Sequence, residues 1–392
     1  MFKVKITFWR VVLAIVLLLG AYATVVRFVR GLGASTNLTD AFPWGLWIGF
    51  DVMCGVMLAA GGFTLTAAVY IFNLKKFKPI VRPTVLTAFL GYMLVVIALF
   101  FDLGRGYRIW HPLVMWNPHS VMFEVAWCVA LYNTVLALEF SGVLFEKFNM
   151  PRLLKWQRAI VIPLVILGVM LSTLHQSSLG SLYLIVPNKL YQFWYTPLLP
   201  VLFFLSAICV GLAMTIFESS MSARHFKKQL EMPLLRSLGR TLLVALSVYT
   251  IVRFQDLLHR GALGFLRKGG SESGLFLLEI FLCSVAPIGL LLFPKVRNSA
   301  GGLYLASVLC LLGFVANRMN VAITGMESAS GQHYFPKWSE IAVTFAIVGF
   351  GFLVFALAVR YLPIFSHVEE PQSISESEVA RTDLPELSHV GP

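Results

Sequence analysis

Charge is what this chain has least of. Lys, Arg, Asp and Glu make up 13% of its 392 residues, and its mean hydropathy is +0.80. So little polar surface excludes an ordinary water-soluble domain. Cysteine is also scarce, and Cys54, Cys128, Cys209, Cys283 and Cys310 all fall in apolar stretches without a C-x-x-C motif. An iron–sulfur cluster needs several thiolates converging on one site, so none is expected; each cysteine reads as a small buried hydrophobe. Histidine is too sparse for a two-haem cytochrome b, which needs four inward axial ligands. His225, His367 and His389 lie in polar segments, His111, His259 and His333 at helix ends, and His119 at a helix start. Only His175 sits clearly within a span, so no haem is expected. No polar segment is long enough to form a separate catalytic domain, which points to a subunit of a larger assembly.

What the chain does have is ten apolar runs, each long enough to cross a hydrocarbon core of about 30 Å as a helix. They are 11–30, 45–72, 84–104, 119–145, 158–182, 195–218, 236–259, 274–294, 299–320 and 339–361. Their continuous apolarity, without period-2 alternation, favours helices over a barrel. The expected fold is therefore an all-α polytopic membrane protein, with lipid as its solvent. With the N-terminus inside, 20 of the 31 Lys and Arg residues fall on the cytoplasmic side. That places both termini in the cytoplasm. The net charge of +12 then reads as a topology signal, so no nucleic-acid partner is expected. Arg27 and Arg30 stand where a signal peptide would carry small residues, so the first span is expected to be retained. Residues 366–392 hold six acidic residues and one basic one, and read as a disordered cytoplasmic tail.

The chain also carries an internal echo. Phe101-Asp102-Leu103-Gly104-Arg105-Gly106 ends the third span, and Phe254 to Gly261, with Asp256 and Arg260, ends the seventh. The following spans then offer Glu124 with Cys128 and Glu279 with Cys283, each pair four residues apart. A duplication makes 45–182 and 195–320 two four-helix bundles of like orientation, within a membrane domain of 1–365. An axis along the membrane normal relates such repeats.

Ionisable groups at membrane depth mark ion, proton or ligand pathways unless they pair or snorkel. Near the outer face lie Asp51, Asp102, Arg105, His119, Glu124 and the His175-Gln176-Ser177-Ser178 segment. Arg253, Asp256, Glu279 and Arg318 lie at similar depth, and Glu340 at the mouth of span ten. Tyr92 is near mid-depth; Glu139 and Glu218 are nearer the cytoplasm. Glu124 and Glu139, 15 residues apart, share nearly the same helix face at a separation of about 22 Å. The bland alternative for each acid is a neighbouring cation or snorkelling to water. Asp102 with Arg105, and Asp256 with Arg253 or Arg260, read first as structural pairs. Trp44 and Trp47 suit an interfacial aromatic belt. Gly45, Gly49, Gly55, Gly61 and Gly62 allow close helix packing or room for a flat ring.

The segments 42–51 (Phe-Pro-Trp-Gly-Leu-Trp-Ile-Gly-Phe-Asp), 102–105, Asn117 to Glu124, His175 to Ser181 and Tyr334 to Glu340 occur in an order and spacing that resembles the NrfD/PsrC-type membrane subunits. The likeness runs from about residue 30 to 365 and is strongest to the HybB-like members, the membrane subunits of nickel–iron hydrogenases. It implies a haem-free chain that exchanges electrons with menaquinone or a related quinone. It also implies a ferredoxin-like iron–sulfur partner docked on the outer face, with hydrogenase large and small subunits beyond it. Asp51, His119, Glu124 and His175 match segments near the quinone and proton sites of that family. Tyr92, Glu124, His175 and Glu218 match its proposed proton route.

A quinone gains or loses two electrons and two protons, so it needs proton-carrying groups beside a flat apolar slot. The expected quinone-binding residues are Trp44, Asp51, Asp102, His119, Glu124 and His175. The expected proton-transfer residues are Tyr92, Glu124, Glu139, His175 and Glu218. The rival reading is a proton- or cation-coupled transporter without redox chemistry, which buried carboxylates and a parallel repeat suit equally well. A purely structural anchor ranks last, because it has little need of so many buried acids.

Overall fold

A computed structural model describes residues 7–185, 190–225 and 230–364. The expected acidic tail, 366–392, lies outside the described residues. Among those residues there are ten helical runs long and apolar enough to cross a membrane. In chain order these are α1 (Phe8–Arg30), α2 (Trp47–Ile71), α3 (Lys75–Asp102), α4 (Val121–Lys147), α5 (Pro151–Leu182), α6 (Leu199–His225), α7 (Met232–His259), α8 (Ser271–Leu292), α9 (Ala300–Ser330) and α10 (Trp338–Tyr361). The chain is a multi-pass, all-helical membrane protein, as its apolar runs predict.

Several helices run past their expected ends. Hydropathy registers only the part of a helix that sits in hydrocarbon, whereas α3, α5 and α6 carry polar turns into the basic connections. Proline sits in the first turn of α5 and α7, where its missing N–H has no intrahelical partner to lose. Ser120 and Ser299 cap α4 and α9 by accepting backbone N–H bonds from Phe123 and Gly302. The ten-residue extension of α9 continues through a π-helical stretch at Asn320–Thr324, and α2 holds two more, Trp47–Cys54 and Ala67–Ile71. Such widened turns favour functional regions.

Contacts between connections define two faces. On one, Asn37 bonds Glu340 and Phe335, and Arg260 bonds the carbonyl of Gln192. This face also carries the aromatic connection 103–120. On the other, Arg82 pairs with Glu146 at 2.7 Å and also bonds the Pro363 carbonyl; this is the basic face. Helices α2 to α5 contact one another, as do α6 to α9; α1 lies on α10, and α10 on α3. The most enclosed spans, α2 and α6, meet in the middle. There a Cβ on Gly211 would come within 2.9 Å of the Ala60 carbonyl carbon and oxygen, so only glycine permits this approach. All five α2-region glycines singled out above serve packing: Gly45 against Tyr334, Gly49 against Ala322, Gly55 against Val95, and Gly61 and Gly62 against Thr84 and Ala88.

Candidate functional site

The centre of the α2–α5 group is a Tyr–His pair. Tyr92 on α3 and His175 on α5 are both fully buried, and the Tyr92 hydroxyl is hydrogen-bonded to His175 Nε2. The other ring nitrogen, Nδ1, lies 2.7 Å from the Leu171 carbonyl oxygen. A carbonyl only accepts, so Nδ1 carries the proton and Nε2 accepts from Tyr92. Gln176 donates to the Val56 carbonyl at 3.1 Å, which ties α5 to α2 beside the pair. Toward the aromatic face, Trp44 stands edge-on to Tyr183 with ring centroids 5.4 Å apart, and the Tyr183 hydroxyl meets Met53 Sδ at 3.1 Å.

Below the pair, toward the basic face, the seven-residue spacing of Tyr132 and Glu139 puts both on the α4 face that packs on α5. A Cβ on Gly168 of α5 would touch Tyr132 and lie 3.8 Å from Glu139 Oε1. Glu218 on α6 is near Thr87 of α3, yet its Oε1 is buried without a hydrogen bond of good geometry. No cation stands within ion-pair distance of Glu139 or Glu218 among the described residues.

A second group gathers where α1, α2, α3 and α10 meet. Asp51 is buried and accepts a 2.7 Å bond from Thr344. Asp102 is its electrostatic neighbour and keeps one oxygen, Oδ1, buried without a partner. The sequence suggested Arg105 as the mate of Asp102, but Arg105 is exposed and the nearby cation is Arg27 of α1. Arg27 is held by the carbonyls of Phe101 and Leu103 at 2.7 and 2.8 Å, capping the end of α3. Glu340 accepts from Tyr334 at 2.5 Å, from Lys337 N at 2.8 Å and from Asn37 N at 3.1 Å. Trp47 is buried, not interfacial, and its Nε1 donates to the Glu340 carbonyl.

The α6–α9 group is wired differently. Glu279 is fully buried and accepts from Asn317 at 2.7 Å and from Trp194 and Asn320 at 2.8 Å, with Arg253 at 4.0 Å. Arg318 bonds Ser206, Asn317 and the Phe203 carbonyl, and lies over the Phe203 ring. Asp256 pairs with Arg260 at 2.7 Å and takes a further bond from Thr196, so Arg253 serves Glu279 instead.

The sequence-derived residues thus fall into distinct places. Tyr92 and His175 are joined, Asp51 and Asp102 are neighbours, and Glu139 lies on the Tyr132 stripe. His119 is exposed, and Glu124 is half-buried in the first turn of α4; neither makes a side-chain hydrogen bond or ion pair among the described residues. Glu124 sits one turn from Cys128 and two from Tyr132, on a common stripe. Tyr132, Ser172, Trp194, Asn317 and Asn320 were missed from the sequence. Tyr132 was findable, because it continues the Glu124–Cys128 stripe by four residues.

The family model described as polysulphide reductase, NrfD, matches residues 34–328. The chain is 32% identical to the probable Ni/Fe-hydrogenase 2 b-type cytochrome subunit of Escherichia coli, over 88% of this chain and 89% of that one. It is also 32% identical to the menaquinone reductase integral membrane subunit of Nitratidesulfovibrio vulgaris, over 90% of each chain. The Hdr-like menaquinol oxidoreductase integral membrane subunit of Archaeoglobus fulgidus is 24% identical over 80% of this chain and 78% of its own length. Four of the five segments that carried the sequence resemblance, all but Tyr334 to Glu340, fall inside the family match, which spans most of the protein, and the chain is a member of the NrfD family of multi-pass membrane subunits.

Proposed function

We propose that the chain is the quinone-reactive membrane subunit of a respiratory oxidoreductase, of the nickel–iron hydrogenase type. It passes electrons between an iron–sulfur partner and menaquinone or a related quinone, with coupled proton transfer. The observation that carries this reading is the buried Tyr92–His175 pair, whose imidazole accepts a hydrogen bond at Nε2, with two carboxyl groups toward the basic face, Glu139 and Glu218, that have no ion-pair partner among the described residues. Relatives named as hydrogenase and menaquinone reductase membrane subunits support the redox setting.

In this reading the quinone ring approaches from the aromatic face, past Trp44 and Glu124, toward His175. His119 marks the mouth of that entry, and Asp51 and Asp102 exchange protons on the same side. Tyr92, Glu139 and Glu218 carry protons to and from the basic face, which is the cytoplasmic side of the cell membrane, where both termini lie. The iron–sulfur partner docks on the aromatic face, where Tyr107, Trp110 and Trp116 are exposed beside Arg105 and Arg108. The α2–α5 and α6–α9 groups are the two copies of an ancestral four-helix unit.

The E. coli relative's name mentions a b-type cytochrome. Histidine is a common axial ligand of haem iron, and both ring nitrogens of His175, the buried histidine of the described residues, are already bonded. His175 is therefore engaged in the Tyr92 pair and not free to ligate a haem iron.

The test is His175→Ala in the intact complex, with turnover measured against a water-soluble quinone and against an artificial acceptor that draws electrons from the partner. Loss of the first with the second retained supports the reading. Equal quinone turnover by fully assembled wild-type and variant complexes overturns it.

A further inference from the structure

The hydroxyl groups of Tyr132 and Ser172 have no place in the pathway as the family resemblance drew it. Both oxygens are buried in mid-membrane without a hydrogen bond of good geometry. Native interiors leave few such atoms, and those they leave are commonly satisfied by ordered water. The orphaned side-chain oxygens and nitrogens of the described residues are unevenly distributed. Thr87, Asp102, Tyr132, Asn133 and Ser172 lie on α3 to α5, whereas Glu218 and Arg253 lie on α6 and α7. In the α6–α9 group, Glu279 has each oxygen bonded. Unpartnered polar groups are thus concentrated in the α2–α5 group, while Glu279 of the α6–α9 group is enclosed by its own donors.

Geometry orders the orphans of the first half. The Tyr132 ring centroid is 4.7 Å from that of Tyr92 and 5.5 Å from that of His175. Ser172 lies one turn before His175 on α5, adjacent to the hydroxyls of both Tyr92 and Tyr132. One further turn along α5 is Gly168, where the side chain is missing. A Cβ there would stand 3.4 Å from Tyr132 Cε2 and 3.8 Å from Glu139 Oε1. The Tyr132 ring and the Glu139 carboxyl therefore flank one point on α5, with Val135 Cγ1 3.2 Å from the same position. Gly62 of α2, packed on Ala88, brings that helix against the other side, with the Tyr132 oxygen 3.5 Å from where its Cβ would be.

We propose that Tyr132 and Ser172, with intervening water, form the proton relay that joins Glu139 to the Tyr92–His175 pair. The proposal rests on the quinone-linked function argued above and names the residues that make its inner connection. Glu139 releases a proton to water, Ser172 and Tyr132 each accept one and give up their own, and Tyr92 delivers one to His175 Nε2. Each hop breaks one O–H bond and forms another, so both hydroxyls are regenerated; Glu139 is reprotonated from the basic face. The same hops run in reverse when quinol is oxidised.

The experiment uses the intact complex with its electron-transfer partner in proteoliposomes, with a pH-sensitive dye reporting proton uptake at the basic face. Tyr132→Phe and Ser172→Ala each remove one hydroxyl and keep the packing. Positioned proton-transfer groups are worth about 10²–10⁴-fold, so quinone-linked uptake is expected to fall about tenfold or more in each variant. The solvent deuterium isotope effect is expected to rise, and electron transfer to an artificial acceptor to stay unchanged. Ser172→Thr, which restores a hydroxyl, is expected to recover most of the rate, as a merely structural role would not require. If Tyr132→Phe fails to assemble, Ser172→Ala with its Thr rescue decides. Wild-type uptake and isotope effect in Ser172→Ala, alongside loss in His175→Ala and Glu139→Gln, overturn the relay but keep the function. Wild-type uptake in His175→Ala as well overturns the underlying function.

Discussion

The Tyr92 hydroxyl donates to Nε2 of His175 because the Leu171 carbonyl, 2.7 Å from Nδ1, fixes the imidazole tautomer. Both partners are fully buried, so neither can turn to water instead. Tyr92→Phe leaves Nε2 unpartnered in the membrane interior, a loss of about 1–3 kcal/mol for a buried polar group. The expected outcome is a complex that assembles with slightly lower thermal stability and loses most quinone-linked turnover. Electron delivery to an artificial acceptor, assayed in the same preparation, is expected to hold.

Glu279 makes the opposite prediction. Asn317, Trp194 and Asn320 donate to it, and Arg253 stands 4.0 Å away. Glu279→Ala removes the negative charge from a site with two buried guanidinium groups, Arg253 and Arg318. Breaking a buried pair in this way costs about 3–5 kcal/mol. The yield of assembled complex and its melting temperature in detergent are expected to fall sharply. Turnover per assembled complex is expected to stay near the wild-type value, since the proposed proton route does not pass through Glu279.

These two cases show what the sequence could and could not convey. Ten apolar runs were legible because a bilayer imposes a length and a composition on every crossing. Their ends were not, because polar turns of α3, α5 and α6 continue the helix beyond the hydrocarbon. Glu124 and Glu279 look equivalent in sequence, each four residues before a cysteine, yet Glu124 is half-buried without a partner and Glu279 is fully enclosed. The difference comes from Trp194, Asn317 and Asn320, which lie 85, 38 and 41 residues away from Glu279. That Arg27, and not Arg105, is the cation near Asp102 has the same origin. It depends on α1 lying beside the end of α3, which no local pattern encodes.

Tyr334 links three segments, since its hydroxyl donates to Glu340 and accepts from Leu46 N at 2.9 Å. Burial, then the bond to Glu340, pushes its titration above the ordinary value of 10.0. The folded state therefore keeps a proton that the unfolded state loses. This contribution to stability is intact below pH 10 and declines as pH rises past the unfolded value, by up to about 1.4 kcal/mol per pH unit. Melting curves of the detergent-solubilised protein between pH 8 and 11 are expected to show that decline. Tyr334→Phe is expected to flatten it while lowering stability at pH 7, because Leu46 N and Glu340 each lose a partner.

Two glycines on neighbouring helices separate close packing from intrinsic helix preference. Gly313 of α9 faces the backbone of α8, and a Cβ there would stand 2.5 Å from Cys283 Cα, so the two helices would have to part. Overpacking of that kind costs about 1–3 kcal/mol, and more when backbone must move. Gly289 of α8 has nothing within 4 Å of its Cβ position. Alanine at that site meets no obstruction and removes the flexibility of a mid-helix glycine, a gain of about 0.5–1 kcal/mol. Gly313→Ala is thus expected to lower the melting temperature and Gly289→Ala to leave it equal or higher. A matching loss in both would mean that α8 and α9 do not approach at Gly313 and Cys283. The surroundings of Glu279 would then need redrawing too, because Asn317 reaches it from the next turn of the same helix.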